Sequence, residues 1–227
     1  MKKYLYEMHL HTVETSRCAE ISAKKAIEYY IEKGYDGIVV TDHFSPSTFE
    51  KFEGMNMSWE EKVNYFLRGY HTAKKAAEGR INVLLGMELR FDKPREMNDY
   101  LVYGVTEKYL YSHPQLLDMN IRDFSKSAHK HGMVIFQAHP FRTGMRIVKP
   151  KYLDGIEIYN GNPRHNSSND IAEMWAKKYD LRVVGGSDFH EFSDLARGGV
   201  YFDKEIKDSK ALVKELLNGD YEIKRTE

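Results

Sequence analysis

Short apolar runs alternate along this chain with longer segments whose apolar residues recur every three or four positions. The runs Tyr4–Met8, Gly37–Thr41, Asn82–Glu88, Tyr100–Val105, Met133–Ala138, Gly155–Tyr159 and Arg182–Gly185 read as strands. Between them, Ala23–Lys33 sets Ile27, Tyr30 and Ile31 at helical spacing and stops at Gly34. Ser58–Glu78 opens on Ser58-Trp59-Glu60-Glu61, a capping-box pattern in which Ser and Glu satisfy each other's backbone donors. Asn120–His131, Asn169–Tyr179 and Asp208–Leu217 complete the predicted helices, the first ending at Gly132 and the last near Gly219. Phe44–Asn56 has no clear period and reads as a long loop. Strand–helix alternation predicts a mostly parallel sheet. About seven such repeats fit a small α/β barrel, complete or incomplete, better than a doubly wound sheet, and no GxGxxG or P-loop supports the latter. With no Pro/Ser-rich linker, repeat or low-complexity tract, residues 1–227 are expected to form one domain.

The strand ends carry the chemistry. His9-Leu10-His11 closes the first run, and alternate residues of a strand share a face, which sets the two imidazoles roughly 6–7 Å apart along it. Thr41-Asp42-His43, Glu88, Ala138-His139-Pro140 and Ser187-Asp188-Phe189-His190 end later runs. In α/β barrels the carboxyl ends of the strands build the functional face, so these residues are expected to converge. A carboxylate at the end of a buried run such as Val83-Leu84-Leu85-Gly86-Met87 needs a partner. Histidines and carboxylates without cysteine suit zinc, manganese or iron. His71, His129 and His131 fall in or beside helical stretches and His113 in a loop, while His165 is placed to overlook the site.

Composition narrows the classes. The chain is 41% hydrophobic and 30% charged, the balance of a folded globular protein. Its 34 basic and 34 acidic residues leave no net charge, which argues against bulk binding to nucleic acid or anionic membrane. Cys18 is the single cysteine, so no intrachain disulfide forms and a reduced, cytoplasmic setting is expected. Met1-Lys2-Lys3 is not followed by the apolar segment of a signal peptide, and no run approaches a membrane span.

Taken as a set, His9-x-His11, Thr41-Asp42-His43, Gly86-Met87-Glu88, Ala138-His139-Pro140, Glu157-x-Tyr159-Asn160-Gly161 and Gly186-Ser187-Asp188-Phe189-His190 resemble the PHP (polymerase and histidinol phosphatase) family over roughly residues 5–203. The resemblance implies a distorted (β/α)7 barrel with two or three divalent ions at the C-terminal ends of the strands. It implies hydrolysis of phosphoesters by a metal-activated hydroxide. By the family pattern, His9, His11, Glu88 and Asp188 surround a first ion, Glu88 bridges to a second that His139 also binds, and His43 and His190 bind a third. Two positions depart from the commonest pattern. Glu14 is the candidate for a further ligand of the third ion. Asp99 stands where a histidine often opens a strand and serves the second. Asp42 is expected to support ligands from behind. Asp188 or His190 is the candidate proton carrier.

Arg17, Arg142 and Arg197 are the candidates for binding a substrate phosphate, with Arg164 nearby, because a planar guanidinium matches phosphate oxygens bidentately. Tyr159, Asn160 and Phe44 are candidates for shaping a pocket. The leading expectation is a phosphoesterase for a small phosphomonoester or short nucleotide. The alternatives are a protein-tyrosine phosphatase of the same family, an inactive structural or binding module, and a metal-dependent hydrolase of C–N or C–O bonds. The last is disfavoured by the lack of an evident strand-end lysine for a carbamylated bridge. No oligomeric state follows from the sequence.

Overall fold

A computed structural model describes residues 2–52, 55–93 and 97–226. In chain order the elements are β1 (Tyr4–Leu10), α1 (Ala23–Glu32), β2 (Gly37–Val40), β3 (His43–Phe44), α2 (Trp59–Phe66), α3 (Arg68–Ala77), β4 (Asn82–Leu89), β5 (Tyr100–Tyr103), α4 (Glu107–Ser112), α5 (Ile121–Lys130), β6 (Val134–Gln137), β7 (Gly155–Asn160), α6 (Asn169–Tyr179), β8 (Arg182–Gly186), β9 (Gly198–Phe202), α7 (Ser209–Asn218) and β10 (Tyr221–Arg225). The strands form one 10-stranded sheet in the order β10-β9-β1-β2-β4-β5-β6-β7-β8, with β3 alongside β4. The sheet nearly closes on itself just past β8, where His11 N donates to Phe189 O at 2.9 Å and Phe189 N to His9 O at 3.1 Å. The result is a distorted barrel with flanking helices.

The sheet is mixed, not mostly parallel. β5 runs antiparallel to both β4 and β6, and β9 antiparallel to both β1 and β10. The reversal of β5 matters for position: its N-terminal end, preceded by Asp99, lies at the same barrel mouth as the C-terminal ends of its neighbours. The predicted helix over residues 58–78 breaks at Leu67 into α2 and α3. Its capping box is present, with Glu61 N donating to Ser58 Oγ and Ser58 N to Glu61 Oε2. The expected loop over residues 44–56 instead contains the end of β3 and a 3-10 helix at Pro46–Phe52, tied down by Ser47 N on Asp92 Oδ2.

The barrel interior is filled by Tyr6, Met8, Leu84, Leu101, Tyr103, Phe136 and Phe202, with Leu212 and Leu216 of α7 packed against them. Along β1, Tyr6 and Met8 join this interior, but Leu5 and Leu10 pack outward against α1 and α3. Strict alternation would put residues 8 and 10 on the same side, so the strand's parity switches between them. The pairing of β1 with β2 slips there, between Glu7 and Leu10. This is a β-bulge, a device that re-aims side chains next to functional sites. It turns His9 and His11 inward at the mouth. The amides of Met8 and His9 both donate to Glu7 Oε1, at 3.0 and 2.9 Å, which satisfies donors the ladder leaves unpaired.

Candidate metal centre

Glu88, at the end of β4, stands at the centre of a buried ring of imidazoles. Its Oε1 lies 3.3 Å from His9 Nε2 and 3.2 Å from His139 Nε2, and its Oε2 lies 3.3 Å from His11 Nε2 and 2.9 Å from His43 Nδ1. The pairing of β3 with β4 sets His43 directly opposite Glu88. Asp188 Oδ1 lies 3.3 Å from His9 Nε2 and 3.5 Å from both His11 Nε2 and His190 Nδ1. Two ligands of one tetrahedral ion, each about 2.0–2.2 Å from it, stand roughly 3.3–3.6 Å apart. Most of these separations match that spacing and exceed a good hydrogen bond. His9 Nε2 and His11 Nε2 are buried and have no hydrogen-bond partner, the condition of a donor atom reserved for a cation. Ligand atoms of His9, Glu88 and His139 lie within 4.8 Å of one another, as do those of His9, His11 and Asp188, of His11, His43 and His190, and of His43, Glu88 and Asp99. The cluster is capable of binding metal.

Supporting contacts fix the ligand atoms. His9 Nδ1 donates to Glu157 Oε1 at 2.9 Å, which turns Nε2 toward Glu88 and Asp188, where a cation would displace its proton. Glu157 Oε2 accepts from His139 N and from Asn160 Nδ2. Asn160 Nδ2 also reaches Asp188 Oδ2 at 3.1 Å. Asp42 accepts from Thr12 N, Thr12 Oγ1 and Ser16 Oγ at 2.6–2.7 Å, and Ser16 Oγ in turn meets His11 Nδ1 and accepts from His43 N. Asp42 therefore stands behind the ligands. A side chain at Gly69 would put its Cβ 2.2 Å from Asp42 Oδ2, so α3 approaches this network closely only as glycine. His139 (φ 27°) and Asp188 (φ 51°) occupy left-handed backbone conformations, strain of the kind that collects at functional sites.

Charge is arranged in opposition. Burial would raise Glu88 and Asp188, but His43 and His9 hold Glu88, and His9, His11, His190 and Arg142 hold Asp188, well below the usual carboxylate range. Burial with His190 and His43 pushes His11 well below 6.5, toward the neutral form that ligates metal. Burial is overcome at His9 by Asp188, Glu157 and Glu88, and at His43 by Glu88, so both rise well above 6.5.

His9, His11, His43, Glu88, His139, Asp188 and His190 come together at the mouth. Glu14 does not join them: its carboxylate accepts from Ala23 N at the start of α1, at 2.9 and 3.2 Å. Asp99 reaches the cluster edge, 3.8 Å from His139 Nε2, and is gripped bidentately by Arg90 at 2.6 and 2.7 Å. Among the arginines, Arg142 bonds Asp188 Oδ2. Arg17 is exposed and lines a cavity of about 170 Å³ together with Cys18, His43 and Arg90. Arg197 points elsewhere, its Nε donating to Gly161 O, and Arg164 is paired with Asp194. Tyr159 reaches Thr226 and Phe44 is core, so of the three pocket candidates only Asn160 faces the ligands. His165 feels Arg142, Asp188 and His139, while His71 and His129 pair with Glu107 and Asp154 away from the mouth, and His113 and His131 pack on Tyr109. Roles for Glu7, Arg90 and Glu157 were not drawn from the sequence. A buried carboxylate inside each of the runs 4–8 and 155–159 was the available signal for two of them.

The geometry has counterparts. Solved structures that share the fold include three at 14–15% identity. One is from Bifidobacterium adolescentis, named for an inferred metal-dependent phosphoesterase activity (TM-score 0.58, 15% identity, 94% of this chain and 96% of that one). Another is PsfC from Pseudomonas syringae (0.62, 14%, 96% and 95%). The third is a Chromobacterium violaceum protein named an amidohydrolase, with bound sulfate and no metal (0.60, 14%, 97% and 97%). No functionally curated protein matches the sequence. The profile of the PHP domain matches residues 7–218, a span that takes in every residue of the cluster from His9 to His190, and the chain belongs to that family.

Proposed function

We propose that this protein is a metal-dependent hydrolase of phosphoesters acting on a small phosphorylated substrate. The observation that carries the reading is Glu88, whose two oxygens face different histidines: His9 and His139 on Oε1, His11 and His43 on Oε2. A carboxylate so placed could hold a cation on each oxygen together with the histidines that face it. Divalent ions, when bound, supply Lewis acidity and acidify water at neutral pH. The protein's own part is to orient and to balance charge. Glu157 fixes the His9 ring, and Asn160 with Arg142 holds Asp188. Arg142, Arg17 and Arg90 bring positive charge to the mouth, which favours an anionic substrate. A cavity of about 170 Å³ lined by Arg17, His43 and Arg90 opens beside the cluster, with room for a small phosphoryl group. His190, whose Nδ1 meets Asp188 O at 2.8 Å, is the candidate for passing a proton to the leaving oxygen from its other ring nitrogen when that nitrogen holds no cation.

Phosphate release from a panel of phosphomonoesters and short nucleotides, with Mn²⁺ or Zn²⁺ supplied, tests this. Activity should fall at least about 100-fold in His9→Ala and in Asp188→Ala. Absence of phosphate release from every ester, or full activity in both variants, would overturn it.

A further inference from the structure

The converging set of His9, His11 and Asp188 crosses the seam of the barrel. His9 and His11 lie at the end of β1, which pairs with β2 and β9, while Asp188 follows β8, which pairs with β7. Among the described residues no ladder joins β1 to β8, and the main chains of these two ends bridge at Phe189 alone. Ligand atoms that must meet around one ion therefore sit on two strand ends that the sheet itself does not hold in register.

The side chain of Glu7 fills that gap. It is fully buried and collects donors from both sides of the seam. Oε1 accepts from Met8 N at 3.0 Å and His9 N at 2.9 Å on β1, and from Ser187 N at 2.8 Å after β8. Oε2 accepts from Tyr30 Oη of α1 at 2.8 Å and from Ser187 Oγ. Ser187 Oγ in turn accepts from Gly198 N at 2.9 Å, where β9 begins, so its own proton goes to Glu7. Every partner donates, and only an acceptor-only group, an ionised carboxylate, satisfies them all. His9 is itself a candidate ligand, and Ser187 directly precedes Asp188, whose left-handed backbone (φ 51°) persists only if its surroundings over-determine it. Gly186 leaves room for this approach: a Cβ there would stand 3.0 Å from Glu7 Oε1.

We infer that Glu7 is a positioning residue of the metal centre, whose carboxylate registers the end of β1 against the segment after β8 so that His9, His11 and Asp188 close on one ion. This deepens the proposed function and rests on its premise that the cluster holds divalent ions. Glu7 acts through the backbones of His9 and Ser187, not by ligation. Glutamine has the same size but turns two amide hydrogens either on the three N–H groups at Oε1 or on the two hydroxyls at Oε2. In the second case the Ser187 proton loses its acceptor while Gly198 N still occupies the oxygen.

The test compares full-length wild type with Glu7→Gln, Ser187→Ala and Asp36→Asn. Asp36 is the control: its Oδ2 accepts from Leu5 N at 2.9 Å, toward the opposite end of the same strand. The readouts are Zn²⁺ affinity by competition with a chromogenic chelator, the visible absorption of the Co²⁺ protein, and the melting temperature of metal-stripped protein. Glu7→Gln and Ser187→Ala should each lower Zn²⁺ affinity per folded chain by about tenfold or more, and shift the Co²⁺ bands that report ligand geometry. Asp36→Asn should lower the melting temperature and leave affinity and spectrum at the wild-type values. Should Glu7→Gln fail to fold, Ser187→Ala, which removes a single hydroxyl, decides the matter. Wild-type affinity and spectra in the folded Glu7 or Ser187 variant, or equal losses in Asp36→Asn, would overturn the role of Glu7 and leave the phosphoesterase reading standing. A wild type that binds no ion would overturn both.

Discussion

At the scale of single residues, the site works by giving each imidazole one job per nitrogen. His9 is the clearest case, with Nδ1 committed to Glu157 and Nε2 turned to Glu88 and Asp188. Glu157→Gln keeps the size but can present an amide N–H to His9 in place of an acceptor. It should weaken metal binding about 10–100-fold with the fold intact, measured by competition with a chromogenic chelator. Unchanged affinity would remove Glu157 from the support. His9 and His43 are held well above 6.5 by their carboxylate neighbours, against burial. In metal-free protein they carry protons at neutral pH, and a cation must displace them. Their contribution to the metal-free fold is therefore present below 6.5 and lost as pH rises through the raised values, while apparent metal affinity climbs over the same window. Calorimetric titration at pH 7 in two buffers of different ionisation enthalpy should show proton release on binding. No release would contradict this protonation.

At the scale of elements, strands were legible because buried apolar runs ended on polar ligands. The histidines and acids of β1, β4 and β8 were expected at strand ends and lie there. Direction was not legible. Nothing in Tyr100–Tyr103 says that β5 runs antiparallel, and only that reversal brings Asp99 to the mouth. β9 opens on Gly198-Gly199, which reads as a turn despite the Val200-Tyr201-Phe202 that follows, and β10 reads Tyr-Glu-Ile-Lys-Arg with little apolar density; both were missed. Arg90 as partner of Asp99 depends on tertiary contact and leaves no local trace. The β1 bulge is equally silent in sequence, although the buried Glu7 that holds it is conspicuous. Glu7 ties β1 to the end of β8 through Ser187 N at 2.8 Å and to α1 through Tyr30 at 2.8 Å. That seam is tight: a Cβ at Gly186 would stand 2.5 Å from His9 Cβ and 2.9 Å from His9 N. Gly186→Ala should cost about 1–3 kcal/mol by overpacking, lower the melting temperature by several degrees, and weaken metal binding together with it. A stable variant with normal metal affinity would show that the seam yields.

At the scale of the whole molecule, the cluster draws on β1, β3, β4, the segment after β6 and the segment after β8. These elements are distant in sequence and meet only in the folded barrel. Among the described residues no helix is long and apolar enough to cross a membrane. A ligand set that exists only in the folded state couples metal binding to stability. Free metal at 100 times its dissociation constant adds about 2.7 kcal/mol, so chelation should lower the melting temperature by roughly 5–10 °C. An unchanged transition would mean that the ions do not engage the folded cluster. The most direct test of the central claim is the number of divalent ions per chain, by elemental analysis of wild-type protein beside Glu88→Gln. More than one ion in the wild type and fewer in Glu88→Gln is the expected result. A metal-free wild type, or the same count in both, would contradict a cation site centred on Glu88.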